Sequence, residues 1–476
     1  MSSLTSRLRK MGRDPEVDLA IPLGGGQQLQ IFQWLRILPG KRLVGRGIWQ
    51  GQQVLAKLFI ATGAERHWQR ESNGIQALQR AGLPTPNLLA SGELSGGGHY
   101  LLTEFLDGSQ NLQERWEALP DQSTGSASEA YVIQQAAMDI IARMHVRGLA
   151  QTDLHLANFL DHEGLLHVID GDAIEVQVPA TPLKTSLAQS NLALFFAQFE
   201  VRWDVHLDAL LKVYQEINPL PDIDRRKLDS AIRSIREQRL NSFLDKTLRD
   251  CSQFHVTRNA SRFCAVLRSE EAALAPLLAD PDQYFNGAPL LKDGGTATVT
   301  RALIAGRELV IKRYNIKGFS HWLKRFWRPS RAWHSWQAGW RLHFLGVATP
   351  QPLAMIERRI GPLRRQAWLV TEYCPGSSLL EHLGEKGDQI PDSATAQAML
   401  HLFQQLSEAR ISHGDFKATN LLWHDGQLKL IDLDAMHAHR HQQAWHKAWM
   451  RDRSRLIRNW PQGSPLVKWL EEMLPR

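Results

Sequence analysis

Two patterns of apolar and polar residues alternate along this chain of 476 residues, and each pattern occurs in both halves. In the first, short β-branched runs are separated by glycine turns, as in LVGRGIWQGQQVLAKLF (43–59) and TATVTRALIAGRELVIKRY (296–314), which predicts antiparallel strands. In the second, apolar residues recur at helical intervals, as in YVIQQAAMDIIARMH (131–145) and AQAMLHLFQQLSEAR (396–410), which predicts amphipathic helices. We therefore expect an α+β fold in which a β-rich part precedes a helical part in each half.

The two halves also share a motif of polar residues at fixed spacing. QTDLHLANFLDHEGLLHVIDGDAI (151–174) matches HGDFKATNLLWHDGQLKLIDLDAM (413–436) position by position. The upstream segment LLTEFLDG (101–108) likewise recurs as LVTEYCPG (369–376). Self-similarity of this kind indicates a tandem duplication of one structural module.

The length of the chain is consistent with this duplication, since domains usually contain roughly 100 to 200 residues. The segment LADPDQYFNGAP (278–289) is rich in turn-forming residues and separates the two copies. We therefore predict a first domain at 1–277 and a second domain at 278–476.

Composition indicates a soluble globular protein of a reducing compartment. The chain is 43% hydrophobic and 22% charged, which suffices for a buried core. No stretch approaches the ~18 apolar residues of a membrane-spanning helix, and the first residues lack the apolar core of a signal peptide. The three cysteines, Cys251, Cys264 and Cys374, are too few for a disulfide framework and form no CxxC pair. We expect a cytoplasmic protein.

The excess of basic over acidic residues lies in the C-terminal part of the chain. Residues 281–476 contain 27 Lys and Arg against 17 Asp and Glu, whereas the rest contains 29 against 32. The segment KGFSHWLKRFWRPSR (317–331) combines basic residues with tryptophan, which suits a membrane surface or an anionic sugar. We expect an exposed contact surface there, although a merely solvated basic surface is the simpler interpretation and nucleic-acid binding is a weaker one.

An aromatic stripe follows this segment. Trp333, Trp336, Trp340 and Phe344 are spaced at helical intervals, so they form either the buried face of a helix or part of the contact surface.

The repeated motif contains residue types that phosphoryl transfer needs: a cation for phosphates, oxygen ligands for magnesium and a carboxylate near the attacking hydroxyl. A single Asp or Lys of this kind is usually a turn residue or a solvated side chain. The same ordered set at one spacing in both copies makes that interpretation inadequate. The candidate residues are the bases Asp153 and Asp415, the metal ligands Asn158, Asp170, Asn420 and Asp432, and the phosphate-binding Lys57 and Lys312.

The motifs resemble those of the protein-kinase-like fold, and in particular the lipopolysaccharide kinase family that phosphorylates Kdo or heptose of the inner core. The resemblance lies in the compact DxxxxN loop, in the ending IDxD and in the segment of the second copy from KRYN to ATPQPLA. It implies two tandem kinase-like domains, each with a β-rich lobe and a helical lobe. It also implies ATP and Mg²⁺ as cofactors, a core glycolipid as acceptor, and peripheral contact with the cytoplasmic face of the inner membrane, without nucleic acid.

The two copies differ around the lysine. Glu71, in the helix that follows Lys57, is the predicted ion-pair partner of that lysine, whereas the aligned position in the second copy is Ser335. The second copy therefore either positions Lys312 differently or has lost activity.

Further nucleotide contacts are predicted in both copies. We assign Glu104 and Glu372 of the repeated TE dipeptide to nucleotide binding. Gly294 and Gly295 lie between two predicted strands, where they cover phosphates or form an ordinary hairpin turn.

Which copy turns over ATP is left open by the sequence, and one copy catalysing while the other anchors the glycolipid is a further possibility. The same motifs are also compatible with a kinase for a protein or another small molecule, and with a pseudokinase-type scaffold that does not turn over ATP.

Overall fold

The computed structural model describes residues 3–12, 15–16, 18–119, 128–219, 222–287, 289–315, 329–361 and 363–475. The chain separates into two compact units, Met1–Arg236 and Glu237–Arg476, which we call the first and the second unit.

The first unit begins with a six-stranded antiparallel sheet in the order β1-β2-β3-β4-β6-β5. Short two- and three-stranded sheets follow in its helical part, in the orders β10-β9-β7 and β11-β8. The strands are β1 (Leu19–Pro22), β2 (Gln28–Leu38), β3 (Arg42–Trp49), β4 (Gln52–Phe59), β5 (Leu88–Leu94), β6 (Gly98–Glu104), β7 (Gln110–Asn111), β8 (Leu149–Gln151), β9 (Phe159–His162), β10 (Leu165–Val168) and β11 (Ile174–Val176). The α-helices are α1 (Leu4–Lys10), α2 (Glu65–Arg80), α3 (Leu112–Glu117), α4 (Glu129–Val146), α5 (Thr185–Phe196), α6 (Leu207–Ile217) and α7 (Arg225–Lys246), the last of which contains the boundary between the units.

The second unit begins with a seven-stranded antiparallel sheet in the order β12-β13-β17-β18-β16-β15-β14, followed by small sheets β19-β21-β22 and β20-β23. Its strands are β12 (Phe254–Arg258), β13 (Arg262–Leu267), β14 (Leu290–Asp293), β15 (Ala297–Ile304), β16 (Arg307–Tyr314), β17 (Pro352–Ile360), β18 (Leu363–Glu372), β19 (Ser377–Ser378), β20 (Ile411–Ser412), β21 (Leu421–His424), β22 (Gln427–Leu430) and β23 (His437–Ala438). Its helices are α8 (Glu271–Ala279), α9 (Arg331–Phe344), α10 (Leu379–Leu383), α11 (Ser393–Glu408), α12 (Gln442–Ile457) and α13 (Pro465–Met473).

Short 3-10 helices complete both units. They cover Gly24–Gly26, Leu156–Asn158, Gly171–Ala173, Val201–His206, Arg268–Glu270, Pro281–Phe285, Ala418–Asn420 and Leu433–Ala435.

The mixed α and β content confirms the predicted α+β class, and the turn chemistry explains the predicted hairpins. The β3–β4 turn has positive φ at Gln50 and Gly51, and the β15–β16 turn has positive φ at Ala305 and Gly306. Both are therefore tight hairpin turns of the kind that match the twist of the flanking strands.

The compact units do not meet at the boundary predicted from the sequence. The position between residues 277 and 278 lies inside the second unit. The reason is that β13, upstream of that position, pairs with β17 across Ala265 and Met355 and so belongs to the seven-stranded sheet. A boundary placed on turn residues alone misses strands that precede the repeated motif.

The helical parts are held by apolar faces that recur at the predicted intervals. In the first unit Ile133, Ala137 and Ile141 of α4 lie in one buried cluster with residues of α6. The side chain of Ser128 accepts a hydrogen bond from the Tyr131 amide at 3.3 Å and caps the start of α4.

The aromatic stripe of α9 lies mostly in the core. Trp336 and Trp340 have no exposed surface, and Trp340 packs edge-on against Phe254 at 4.9 Å between ring centroids. Phe344 at the end of the helix is 41% exposed. For the two central tryptophans the buried-face interpretation is confirmed.

The contact surface predicted at 317–331 falls mainly outside the described residues, because 316–328 are not among them. Among the helices that the structure describes, none is both long enough and apolar enough to cross a membrane.

Candidate active site

In the second unit the loop from Asp415 to Asn420 is fixed by three hydrogen bonds. Asn420 donates from Nδ2 to the Asp415 carbonyl at 2.8 Å, and the Ile431 amide donates to the Asn420 carbonyl at 3.0 Å. The Nε2 atom of His413 lies 2.9 Å from the Ile431 carbonyl, immediately before Asp432. The predicted base and the two predicted metal ligands are therefore held in one backbone frame.

The Asp415 carboxylate lies beside two cations. Its Oδ1 atom is 2.9 Å from Nη1 of Arg455, on α12, and 3.3 Å from Nζ of Lys417. Both cations therefore help to fix the position of the carboxylate. Sequence analysis missed Arg455 because nothing in the motif indicates which helix packs beside it.

A second acid, Asp452, binds the backbone immediately before the same loop. Its carboxylate accepts hydrogen bonds from the His413 amide at 2.6 Å and from the Gly414 amide at 3.0 Å. Burial raises the pKa of Asp452, and the two amide hydrogen bonds offset part of that effect. The only signal in the sequence was an isolated acid in the aromatic and basic segment WHKAWMRDRSRL.

Asp432 is aimed into the site by its backbone. Its φ of 61° is in the left-handed region, directly before the 3-10 helix Leu433–Ala435. Its Oδ1 atom lies 2.5 Å from Nζ of Lys312. Burial by itself would raise the pKa of Asp432, but the charge and hydrogen bond of Lys312, with Lys292 nearby, hold it below the ordinary value.

Lys312 has a second acidic partner that the sequence did not predict. Its Nζ atom lies 2.9 Å from Oδ1 of Asp434. Ser335, aligned with Glu71, donates its hydroxyl to the same Oδ1 atom at 2.8 Å. Of the two expectations for the second copy, the structure therefore shows a differently positioned lysine.

A cavity of about 520 Å³ lies next to these residues in the second unit. Its lining includes the polar Lys312, Asn420 and Asp432 and the apolar Val299 and Leu369, which are the cross-strand neighbours of Lys312. The segment Thr371–Cys374, which includes the predicted Glu372, borders it as well. A cavity lined by apolar side chains together with a lysine and oxygen ligands suits a nucleotide.

The predicted glycine loop is a hairpin. The Gly294 amide donates to the Ala297 carbonyl at 3.1 Å, so Gly294 and Gly295 connect β14 to β15. From this hairpin Lys292 lines the cavity, and its Nζ atom lies 4.0 Å from Oδ2 of Asp432. The hairpin thus places a second cation in the cavity lining, near Asp432.

In the first unit Lys57 and Glu71 form the ion pair predicted from the sequence. Glu71 also accepts hydrogen bonds from the Gly171 amide at 3.2 Å and the Asp172 amide at 3.3 Å. Burial opposes its ionisation, but Lys57 holds the pKa of Glu71 below the ordinary value. A Cβ on Gly74 would lie 2.0 Å from the Gly171 carbonyl oxygen, so this close approach of α2 requires glycine.

The motif residues of the first unit repeat the backbone frame. Asn158 donates from Nδ2 to the Asp153 carbonyl at 2.6 Å, and the Ile169 amide donates to the Asn158 carbonyl at 2.9 Å. Asp170 has a left-handed φ of 70°. Burial raises the pKa of Asp170, and the charge of Lys57 offsets only part of this because the Glu71 carboxylate raises it further.

Two further residues predicted for the first unit, Asp153 and Glu104, each make a polar contact through the side chain. The Asp153 side chain is 69% exposed and lies 3.6 Å from Nε2 of His155. Glu104 accepts a hydrogen bond from Asn87 Nδ2 at 2.9 Å.

The donor set of the second unit fits Mg²⁺. Because Asn420 uses Nδ2 for its hydrogen bond to Asp415, its Oδ1 atom is available to a cation. The Asp432 carboxylate, which contacts Lys312 through Oδ1, offers further oxygen ligands. Mg²⁺ commonly takes one or two protein oxygens and completes its shell with substrate phosphates and water. Within the described ranges no group of three or more His, Cys, Asp or Glu side chains is arranged to hold a metal ion.

A lysine facing oxygen ligands for magnesium is an arrangement that kinases use for phosphoryl transfer. A family model described as the lipopolysaccharide kinase (Kdo/WaaP) family matches residues 43–179 and 292–462. These segments make up more than half of the chain, and the chain belongs to that family. Membership implies a kinase.

Among solved structures, the chain is similar to one described as "WaaP in complex with acyl carrier protein". The sequence identity is 19%, the match covers 43% of this chain and 88% of that chain, and the TM-score is 0.32. A comparison with curated proteins found no match.

Proposed function

We propose that this chain is an ATP- and Mg²⁺-dependent kinase that phosphorylates a sugar hydroxyl of the lipopolysaccharide core, and that the second unit carries out the chemistry. The observation that carries the proposal is the cavity of the second unit, which Lys312, Asn420 and Asp432 line. Family membership supports the acceptor class.

Each residue of the second unit has a distinct part in this reaction. Lys312 and Lys292 bind the phosphates of ATP, and the segment that contains Glu372 borders the base. Asn420 and Asp432 would hold Mg²⁺, which neutralises charge on the phosphates when it is bound. Asp415 orients the sugar hydroxyl and accepts its proton, while Arg455 and Lys417 contact its carboxylate.

We also propose that each compact unit is a kinase-like domain, so that the chain is a tandem pair. The shared hydrogen bonds of the Asp153–Asn158 and Asp415–Asn420 loops support this. The differences between the units favour the second for turnover, because its base lies beside two cations whereas Asp153 lies near His155 alone among the charged partners that the described residues provide.

A peripheral position at the cytoplasmic face of the inner membrane follows from the acceptor, which is a membrane glycolipid. The excess of basic residues in 281–476 supports contact with its phosphates.

The test is transfer of radiolabelled phosphate from ATP by the purified full chain. Core glycolipid from cells that lack this gene should be labelled in preference to free sugars and to a generic protein substrate, and a magnesium chelator should stop the reaction. Asp415→Asn is the matched control, since it removes the base and keeps the shape. Preferential labelling of a protein or a free sugar would make the chain a kinase of another acceptor.

A result in which the unaltered chain binds ATP and labels no acceptor would establish a scaffold instead of an enzyme. Mass spectrometry of lipopolysaccharide from cells with and without the gene would identify the acceptor, because the proposal expects one core phosphate to be missing.

A further inference from the structure

The ammonium group of Lys312 is largely buried and has no acid on the helix that follows its strand. Its side chain is 14% exposed, and a buried ammonium is costly unless it is paired. The sequence contains no Asp or Glu between Glu308 and Glu357, so helix α9 cannot supply the partner. Both acids that contact Lys312 come from the IDLD segment, namely Asp432 and Asp434.

The Asp434 carboxylate is held from two other elements of the second unit. Tyr314, on β16, donates its hydroxyl to Oδ1 at 2.7 Å, and Ser335, on α9, donates to the same atom at 2.8 Å. Arg331 Nη1 lies 4.0 Å from Oδ2. Tyr314 and Ser335 are both buried, with 5% and 2% of their surfaces exposed. The carboxylate is therefore held in position by groups of the second unit itself.

The aligned acid of the first unit has a different partner. Asp172 lies 3.1 Å from Nε of Arg70 and 3.1 Å from Nδ1 of His67, both on helix α2. Lys57 is bound instead by Glu71 of the same helix. Between the two units, the acid that holds the lysine has moved from the helix to the IDxD segment.

We propose that Asp434 is the positioning residue of Lys312. It keeps the ammonium directed at the nucleotide phosphates when Asp432 is engaged by the divalent ion, and so does in the second unit what Glu71 does in the first. Ser335 and Tyr314 hold the Asp434 carboxylate in place through their hydrogen bonds. The inference rests on the proposed function, because it assigns Lys312 to the phosphates of ATP.

The test measures binding of a fluorescent ATP analogue to the full chain, with and without Mg²⁺, alongside turnover. Asp434→Asn should weaken binding in Mg²⁺ by about tenfold or more, the effect of losing a hydrogen bond to a charged group. Placing the acid on the helix should rescue it, so that the double variant Asp434→Asn with Ser335→Glu returns to within about threefold of the original affinity. Asp388→Asn, which removes an exposed acid from the α10–α11 connection, is the control and should bind normally.

Two results would overturn the inference. One is an Asp434→Asn variant that binds the analogue as tightly as the original chain. The other is a double variant that keeps the thermal stability of the single variant and shows no rescue, since a merely structural role for Asp434 predicts that pattern. Binding is measured without an acceptor, so failure to phosphorylate glycolipid would count against the proposed function alone.

Discussion

The two units hold the same motif in the same backbone frame but surround it with different charges. In the second unit His413 donates to the carbonyl before Asp432 at 2.9 Å, and in the first unit Gln151 donates to the carbonyl before Asp170 at 3.0 Å. A neutral amide thus replaces an imidazole without changing the hydrogen bond. This hydrogen bond needs only a side-chain N–H group that reaches the carbonyl. The backbone arrangement is therefore the same in both copies, although the side chains around it carry different charges.

The side chain that binds the backbone at the start of the loop also differs between the two units. Asp452 accepts hydrogen bonds from backbone amides of the second unit, whereas in the first unit Asn191 accepts from the Gln151 amide at 3.4 Å and donates to the Gln151 carbonyl at 2.7 Å. The first unit therefore uses a neutral amide for this purpose, whereas the second unit uses a carboxylate. The comparison teaches that identical spacing does not establish identical chemistry.

The largest effect is expected from breaking the lysine pair of the first unit. Lys57→Met would leave the Glu71 carboxylate, whose side chain is 1% exposed, without its cation, and unfolding free energy should fall by about 3 to 5 kcal/mol. Urea unfolding of the full chain measures this. Replacing both partners, as in Lys57→Met with Glu71→Leu, should recover much of the loss, and a single variant as stable as the original would contradict the buried pair.

The equivalent change in the second unit should act on turnover. Lys312→Met removes a charge that lines the cavity, so phosphotransfer should fall by about a hundredfold or more. The side chains of its partners Asp432 and Asp434 are 27% and 18% exposed and can be solvated. The melting temperature should therefore change less than in Lys57→Met. Steady-state rates and thermal melts of the two variants distinguish a mainly catalytic lysine from a mainly structural one, and equal loss of activity in both would remove the distinction.

Acidic pH should destabilise the first unit before the second. His145 is fully buried between Asn191 and Tyr214, and burial lowers its pKa to about 4. The unfolded chain, with an ordinary histidine pKa near 6.5, takes up the proton first. Stability is therefore fully present above pH 6.5 and is lost as the pH falls towards 4, by about 2 kcal/mol at pH 5.

The second unit has Ser407 at the aligned position and lacks this titration. Urea unfolding at pH 7 and pH 5 measures the effect, and His145→Gln is the control because glutamine does not titrate. A His145→Gln chain with an unchanged pH dependence would show that other groups are responsible.

A smaller effect should follow when Asp452 of the second unit is replaced by asparagine, the residue type that the first unit uses to bind its loop. Asp452→Asn keeps the shape of the side chain but weakens its hydrogen bonds to the His413 and Gly414 amides, at a cost of about 1 to 2 kcal/mol in stability. Turnover should fall by about tenfold, because the loop that carries Asp415 is held less firmly. Kinetics at saturating ATP would show the loss in kcat, and an unchanged kcat would separate the anchor from the chemistry.

Much of this site could be predicted from the sequence because the motif residues are close together along the chain. The Lys57–Glu71 pair was within reach as well, since an acid on the helix after a buried lysine is a local signal. The partners that the sequence missed come from distant elements. Arg455 and Asp452 lie on α12, and only the packing of that helix brings them to the loop.

The exchange of Glu71 for Asp434 could not be read from spacing either. Both acids of the IDxD segment occur in both copies, and the difference lies in whether the second of them contacts the lysine, as Asp434 does, or the helix α2, as Asp172 does. That choice depends on how the preceding helix packs. Gly74 allows α2 to touch Gly171 in the first unit, whereas the aligned residues of the second unit are Ala338 and Leu433.

The most direct test of the account compares phosphate transfer to core glycolipid by two matched variants of the full chain. Asp415→Asn should lower the rate by at least about a hundredfold, since general bases typically contribute that much, while Asp153→Asn should cost less than about tenfold. A chain in which Asp153→Asn abolishes transfer and Asp415→Asn leaves it intact would contradict the assignment of the chemistry to the second unit.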